Sequence, residues 1–209
     1  IKIICIADTH ADYRQLKVPD GDILIHAGDV GLWEEATEIV DFTNWLANLP
    51  HKYKIVIAGN HDKLFSTWSK EKIRSFLPNI IYLENEQVTI EGLKIWGSPM
   101  SPTFGNWFFM ADRGKEIQKY WDSIPDNLDV LITHSPPYDI LDEVPIGVNP
   151  HVGCFDLLKT VKKKKPKYHI FGHIHNAYGI EKIEETTFVN CSVMDEGYYI
   201  VNKPVVLEV

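Results

Sequence analysis

Five short runs of β-branched and apolar residues constrain this chain more than any other feature: Ile1 to Ala7 (IKIICIA), Asp22 to Ala27 (DILIHA), Lys54 to Ala58 (KIVIA), Asp129 to Thr133 (DVLIT) and Tyr168 to Phe171 (YHIF). Each reads as a strand covered on both faces, because its apolar residues form a run and do not alternate with polar ones. Between several of them lie segments with apolar residues at three- and four-residue spacing, Glu34 to Leu49, Ser69 to Leu77, Arg113 to Ser123 and Gly153 to Lys164, which predict helices. That alternation predicts an α/β core.

A second group of strands is expected at Gln87 to Ile90, Leu93 to Gly97, Tyr178 to Ile183, Thr187 to Asn190, Tyr198 to Val201 and Val205 to Val209, joined by short turns such as Glu91-Gly92 that read as hairpins. The two groups together predict a two-sheet β-sandwich flanked by helices, with layers α/β/β/α. No stretch resembles a flexible linker, so residues 1–209 read as a single domain, and 44% hydrophobic residues are ample for its core. The longest loop-like stretch, Ser98 to Asp112, is rich in Pro, Gly and aromatics, and loops of that length in compact domains usually carry function.

The formal charge of −8 opposes binding to an extended nucleic acid, whose phosphates would meet net repulsion. The one basic block, Lys162 to Lys165 with Lys167, follows a periodic run and reads as a helix C-terminus, where cations oppose the helix dipole favourably. Cys5, Cys154 and Cys191 show no CxxC spacing, so reduced thiols and a cytoplasmic location are expected. No run approaches the roughly 18 apolar residues of a membrane span.

The chemistry sits immediately after the five apolar runs. There the chain reads Asp8-Thr9-His10, Gly28-Asp29, Gly59-Asn60-His61-Asp62, His134 and Gly172-His173-Ile174-His175. Singly these are ordinary turn formers, helix caps or loop histidines. What distinguishes them is their shared place, since in α/β sheets ligands bind in the crevice beyond the carboxyl ends of the strands. Carboxylates and imidazoles converging there would go unsatisfied without a cation among them. Imidazole, carboxylate and amide oxygen with no thiolate suit manganese, iron, zinc, cobalt or nickel. The donors exceed one ion's needs, which points to two ions, roughly 3.5 to 4 Å apart in hydrolytic sites of this kind.

The series DTH, GD, GNHD, H, GHIH, in that order from Asp8 to His175, resembles the calcineurin-like metallophosphoesterase superfamily. WGSP at 96–99, DRGKEI at 112–117, THSPP at 133–137 and VGCFDLLKTV at 152–161 extend the resemblance to the metallophosphoesterase-domain-containing subgroup. It implies that Asp8, His10 and His175 hold one metal, that Asn60, His134 and His173 hold the other, and that Asp29 bridges both. Some animal members of the subgroup carry Gly at the position of His173, a change that implies a weakened second metal; this chain keeps the histidine. Two divalent transition-metal ions, manganese first, are therefore the expected cofactors.

The resemblance further implies phosphoester hydrolysis by a metal-bridging hydroxide, with His61 facing the leaving group and Asp62 orienting its ring. Arg113 and Asn149 are candidates for contact with phosphate or base, and Trp107, Phe108 and Phe109 for a pocket wall. His26 and His169, inside strands, read as core or as support just behind the ligands, and His51 and His151 as surface. The expected substrate is a small phosphodiester such as a cyclic nucleotide. A phosphomonoesterase or protein phosphatase on the same site is an alternative, although protein phosphatases of the superfamily read GNHE where this chain reads GNHD. A non-catalytic metal-binding scaffold is the third reading. Expected partners are the small phosphoester and a second copy in a homodimer, with no membrane.

Overall fold

In chain order the elements are β1 (Lys2–Ile6), β2 (Ile23–Ala27), α1 (Ala36–Ala47), β3 (Tyr53–Ile57), α2 (Lys63–Thr67), α3 (Lys70–Phe76), β4 (Ile81–Tyr82), β5 (Glu86–Ile90), β6 (Leu93–Ser98), β7 (Ser101–Pro102), β8 (Met110–Ala111), α4 (Lys115–Trp121), β9 (Val130–Thr133), α5 (Phe155–Lys164), β10 (Tyr168–Phe171), β11 (Gly179–Ile183), β12 (Thr186–Asn190) and β13 (Val205–Glu208). The structure, a computed structural model, describes residues 1–31, 35–145, 147 and 149–209. Glu34, where the first helix is expected to begin, lies outside them, and α1 starts at Ala36.

One sheet has the order β13-β1-β2-β3-β4, with β13 antiparallel and the others parallel. The second has the order β11-β12-β10-β9-β6-β5, parallel through its centre with antiparallel strands at both edges. Both edge hairpins occur where the short turns predict them, and Glu91 and Gly92, both with positive φ, form the turn between β5 and β6.

The apolar runs bury both faces because alternate residues serve different layers. Ile3, Cys5 and Ala7 of the β1 run face the second sheet and pack with Ile95, Val130, Ile132 and Ile170. Ile4 and Ile6 face the other way, onto Ile39, Phe42 and Leu46 of α1. On the far side of the second sheet, Trp96, Leu131 and Phe171 pack against Ile117 and Trp121 of α4 and Leu157 and Val161 of α5. The layers are therefore α/β/β/α. Lys162, Lys163 and Lys164 occupy the last turn of α5, where Lys164 pairs with Asp126 at 2.7 Å.

At one end the two sheets are stitched by backbone. Ala7, just past β1, donates its N–H to Cys191 O at 3.0 Å, and its carbonyl accepts from Val193 N–H at 3.1 Å, just past β12.

The structure departs from the sequence reading at several positions. No strand forms at Tyr198 to Val201; the segment is a tight turn in which Tyr198 N–H donates to Asp195 O and Asp195 N–H to Tyr199 O, both at 3.0 Å. His51 is buried, not on the surface, with its Nε2 3.0 Å from Pro19 O. The loop Ser98 to Asp112 contains the short parallel pair β7–β8.

Candidate metal centre

The five motif blocks converge at the carboxyl ends of β1, β2, β3, β9 and β10. Three sets of residues bring one donor atom each to within 4.8 Å of one another: Asp8, His10 and His175; His10, Asp29 and His61; and Asp29, His134 and His173. Asn60 joins the last set, with its Oδ1 2.9 Å from His134 Nε2. Neighbouring loops are registered by backbone bonds, Asp8 N–H to Gly28 O at 2.9 Å and His10 N–H to Asp29 O at 3.1 Å. Four of the converging residues, Asp8, His10, Asp29 and His173, have φ between 40° and 70°, a left-handed conformation uncommon for residues with a Cβ. The turns around them have little room: Gly28, at φ +98°, sits where a Cβ would come within 2.5 Å of His134 Nδ1, and a Cβ on Gly59 would collide with Asp29 Oδ1.

Backbone carbonyls orient the imidazoles. His134 Nδ1 lies 2.9 Å from Ala27 O and His175 Nδ1 2.9 Å from Asp195 O. A carbonyl only accepts, so both rings carry a proton on Nδ1 and turn Nε2 into the centre. The carboxylates are held in the same way, Asp8 Oδ2 accepting from His173 N–H and Asp29 Oδ1 from His61 N–H, each at 2.8 Å.

The remaining atoms face each other without adequate partners. His134 Nε2 confronts two oxygens, Asn60 Oδ1 and, at 3.3 Å, Asp29 Oδ2. Among the described residues, the buried Asp8 Oδ1 and His10 Nε2 have no hydrogen-bond partner at all. Burial opposes ionisation of Asp8, yet the His175 ring, with Nε2 3.8 Å from Oδ1, holds its carboxyl at about 2. Asp29 is likewise pulled well below the carboxylate range, against its burial, by His134. His134 and His175 are in turn raised to about 9 against their own burial, His134 chiefly by the Asp29 charge and His175 by the nearby Asp8 carboxylate. The centre thus demands positive charge that its imidazoles supply only by holding extra protons. Oxygen and nitrogen donors with unmatched buried lone pairs fit divalent cations.

The model of the family described as calcineurin-like phosphoesterase matches residues 1–177. The chain belongs to that family. Metallophosphoesterase domain-containing protein 1 of Homo sapiens is 40% identical over 230 residues, covering 99% of this chain and 70% of that protein. A UPF0046 protein of Caenorhabditis elegans is 37% identical over 219 residues, covering 99% and 74%. The fold is shared with the solved TT1561 of Thermus thermophilus, at a TM-score of 0.59 and 11% identity over 90% of this chain and 88% of that one. Calcineurin-like phosphoesterases use divalent metal ions, and membership implies a hydrolase.

In this calcineurin-like phosphoesterase the centre forms the floor of a cleft of about 740 Å³. His61 lies at its edge, its ring 4.8 Å from His10 and 4.3 Å from Trp107, with Nε2 4.0 Å from Asp29 Oδ2. Asp62, expected to orient the His61 ring, is engaged by backbone donors. Its fully buried carboxylate accepts three backbone N–H bonds, from Gly59 and Gly31 at 2.8 Å and from Val30 at 3.1 Å, tying the β2 and β3 loops together.

Arg113 lines the cleft, and its guanidinium donates to Gly153 O and Val152 O at 2.7 and 2.8 Å. Asn149 lies instead in an adjoining depression, with its Oδ1 accepting from His151 N–H. His151, expected at the surface, is half-buried at the rim, 2.7 Å from the buried Asp142. Of the three expected wall aromatics only Trp107 lines the cleft, and Phe109 packs into the helix-side cores. The other aromatic walls are Phe104, 5.2 Å from His173, and Tyr198, 4.8 Å from His10. Phe104 sits in the same aromatic loop as Trp107; Tyr198 lies far along the chain from that loop, so only its aromatic character marked it.

Among the described residues no helix is long and apolar enough to cross a membrane.

Proposed function

We propose that this chain is a dinuclear-metal-dependent phosphodiesterase acting on small diesters such as cyclic nucleotides. The observation that carries the reading is the sharing of Asp29: its carboxylate belongs to two of the three donor sets, between the His10 side and the His134–His173 side. Asp8, His10 and His175 would hold one divalent ion and Asn60, His134 and His173 the other, with Asp29 serving both. Manganese is the first choice for this set of imidazole, carboxylate and amide oxygen donors without thiolate. When bound, two such ions lower the pKa of water and neutralise charge on phosphoryl oxygens.

The chain's own groups do the rest. The Ala27 and Asp195 carbonyls keep His134 and His175 in the tautomer that directs Nε2 inward. Burial lowers the pKa of His61, so at neutral pH its ring is uncharged and acts on the leaving oxygen as a hydrogen-bond donor. Phe104, Trp107 and Tyr198, exposed by 44%, 38% and 49%, give the ester substituents apolar surface beyond the centre. Among the described residues Arg113 is the one arginine lining the cleft, and two of its nitrogens are bound to backbone carbonyls. A singly charged diester suits such a cleft better than a monoester dianion.

The test is hydrolysis of bis(p-nitrophenyl) phosphate against p-nitrophenyl phosphate by purified protein with manganese, alongside metal analysis. We expect about two ions per chain and faster diester turnover. Faster monoester turnover would replace this reading with the phosphomonoesterase one, and bound metal without turnover on either ester would leave the scaffold.

A further inference from the structure

Two buried histidines outside the metal centre occupy matching places behind it. His26, in β2, faces α1 and meets the Phe42 ring edge-on at 5.7 Å. His169, in β10, packs between Phe171 and Phe188, with ring separations of 4.9 and 5.7 Å, on the side of α4 and α5. Both are 0% exposed. Each sets Nε2 against a threonine hydroxyl, His26 2.9 Å from Thr9 Oγ1, three residues past the neighbouring parallel strand β1, and His169 2.8 Å from Thr133 Oγ1, the last residue of its parallel neighbour β9. Thr9 stands between Asp8 and His10; Thr133 immediately precedes His134.

The direction of these bonds follows from the groups present. Thr133 gives its single hydroxyl proton to Ser135 O at 2.7 Å, so it must accept from His169, whose ring proton is therefore on Nε2. Thr9 Oγ1 has Val30 O as its own acceptor, at 3.5 Å. Among the described residues neither His26 Nδ1 nor His169 Nδ1 has a hydrogen-bond partner, so a proton there would be a buried donor with no acceptor. Burial brings both imidazoles down to about 3, which keeps them neutral.

An imidazole with one bare nitrogen is a poor choice for filling an apolar layer, where leucine or phenylalanine would pack without burying an unmatched polar atom. The same arrangement nevertheless occurs once in each sheet, one behind each half of the centre. We propose that His26 and His169 are positioning residues for the metal centre: as neutral Nε2–H donors they hold the Thr9 and Thr133 hydroxyls and so set the backbone that presents Asp8, His10 and His134. This rests on the metal-binding part of the function proposed above and is independent of which ester is cleaved.

Two measurements test it. In the metal-free protein, long-range proton–nitrogen NMR of the histidine rings should show His26 and His169 as Nε2–H tautomers, and an Nδ1–H pattern at either would overturn the assignment. Calorimetric titration with manganese chloride should show His26→Leu and His169→Leu folded but weakened in affinity by about 10- to 100-fold, the range for residues that orient metal ligands. His169→Gln, which restores a donor, should recover most of that loss, whereas a merely space-filling role would favour leucine over glutamine. Thr133→Val should match His169→Leu, and the double variant should be no worse than either single one. Wild-type affinity in the leucine variants, or additive losses in the double variant, would refute the proposal. Wild-type protein that takes up no manganese would sink the metal centre itself and this proposal with it, a result distinct from wild-type metal binding without ester hydrolysis.

Discussion

Replacing Asp62 by alanine separates two roles for this carboxylate by their magnitude. Its oxygens accept three backbone N–H bonds, from Val30, Gly31 and Gly59, and the residue is fully buried. Asp62→Ala leaves three donors without an acceptor, and each buried unsatisfied group costs about 1–3 kcal/mol. Backbone relaxation and water entering the vacated space reduce the sum, so we expect a loss of about 3–5 kcal/mol, large beside the roughly 5–15 kcal/mol of a whole domain. Asp62→Asn keeps one carbonyl oxygen but turns an NH₂ toward donors, and should lie about midway between wild type and Asp62→Ala. Urea unfolding of the metal-free proteins, extrapolated to water, gives these values directly. The reasoning fails if Asp62→Ala costs less than about 1 kcal/mol while turnover collapses. That pattern would restore the role expected from sequence, in which Asp62 orients His61.

Three further outcomes are expected. Asp29→Asn should lower diester turnover more than about a hundredfold with the circular dichroism spectrum unchanged, because the carboxylate shared by two donor sets is lost. His61→Ala should slow hydrolysis by about 10²–10⁴-fold for esters with poor leaving groups and less for p-nitrophenyl esters; equal losses would show that His61 does not act on the leaving oxygen. His169 is neutral in the fold, held by burial at about 3 against an ordinary value of 6.5. The unfolded chain therefore binds one more proton than the folded one between those values, and stability falls as pH drops from about 6.5 toward 3, by up to about 1.4 kcal/mol per pH unit for this residue. Chemical unfolding across that range should be less steeply pH-dependent in His169→Leu than in wild type.

The strands and the ligand blocks were legible in the sequence for one reason: buried parallel strands leave long apolar runs, and the sheet puts whatever follows them in one crevice. Asp8, His10, Asp29, Asn60, His134, His173 and His175 all come together on that rule. Short elements such as β4, β7 and β8, of two residues each, were not legible because they carry no period. Tyr198 to Val201 has the composition of a strand, but the Asp195 carboxylate accepts from Gly197 and Tyr199 N–H and fixes a turn with Tyr198 at φ 61°. Composition cannot reveal such a bond. The backbone bonds of Asp62 were hidden for the same kind of reason: two of the amides that donate to it lie 32 and 31 residues earlier. The burial of His51 against Pro19 O is equally non-local.

The stitch at Ala7 makes the sandwich behave as a book with its spine at the metal centre. Ala7 belongs to one cover and Cys191 and Val193 to the other, and the bonds between them lie one residue from Asp8. The His134 ring, rooted in the second sheet, binds Ala27 O in the first, and so adds another thread to the spine. A bound book opens at its fore-edge. The far side is fastened by exposed side chains, Lys52 Nζ and Tyr53 Oη donating to Glu91 Oε1 at 2.6 and 2.7 Å, so a bulkier side chain inserted between the covers would strain these bonds before it moved the spine. The spacing between Asp8 or Asp29 on one cover and His134 or His173 on the other is thereby insulated from how tightly the rest of the sandwich is packed.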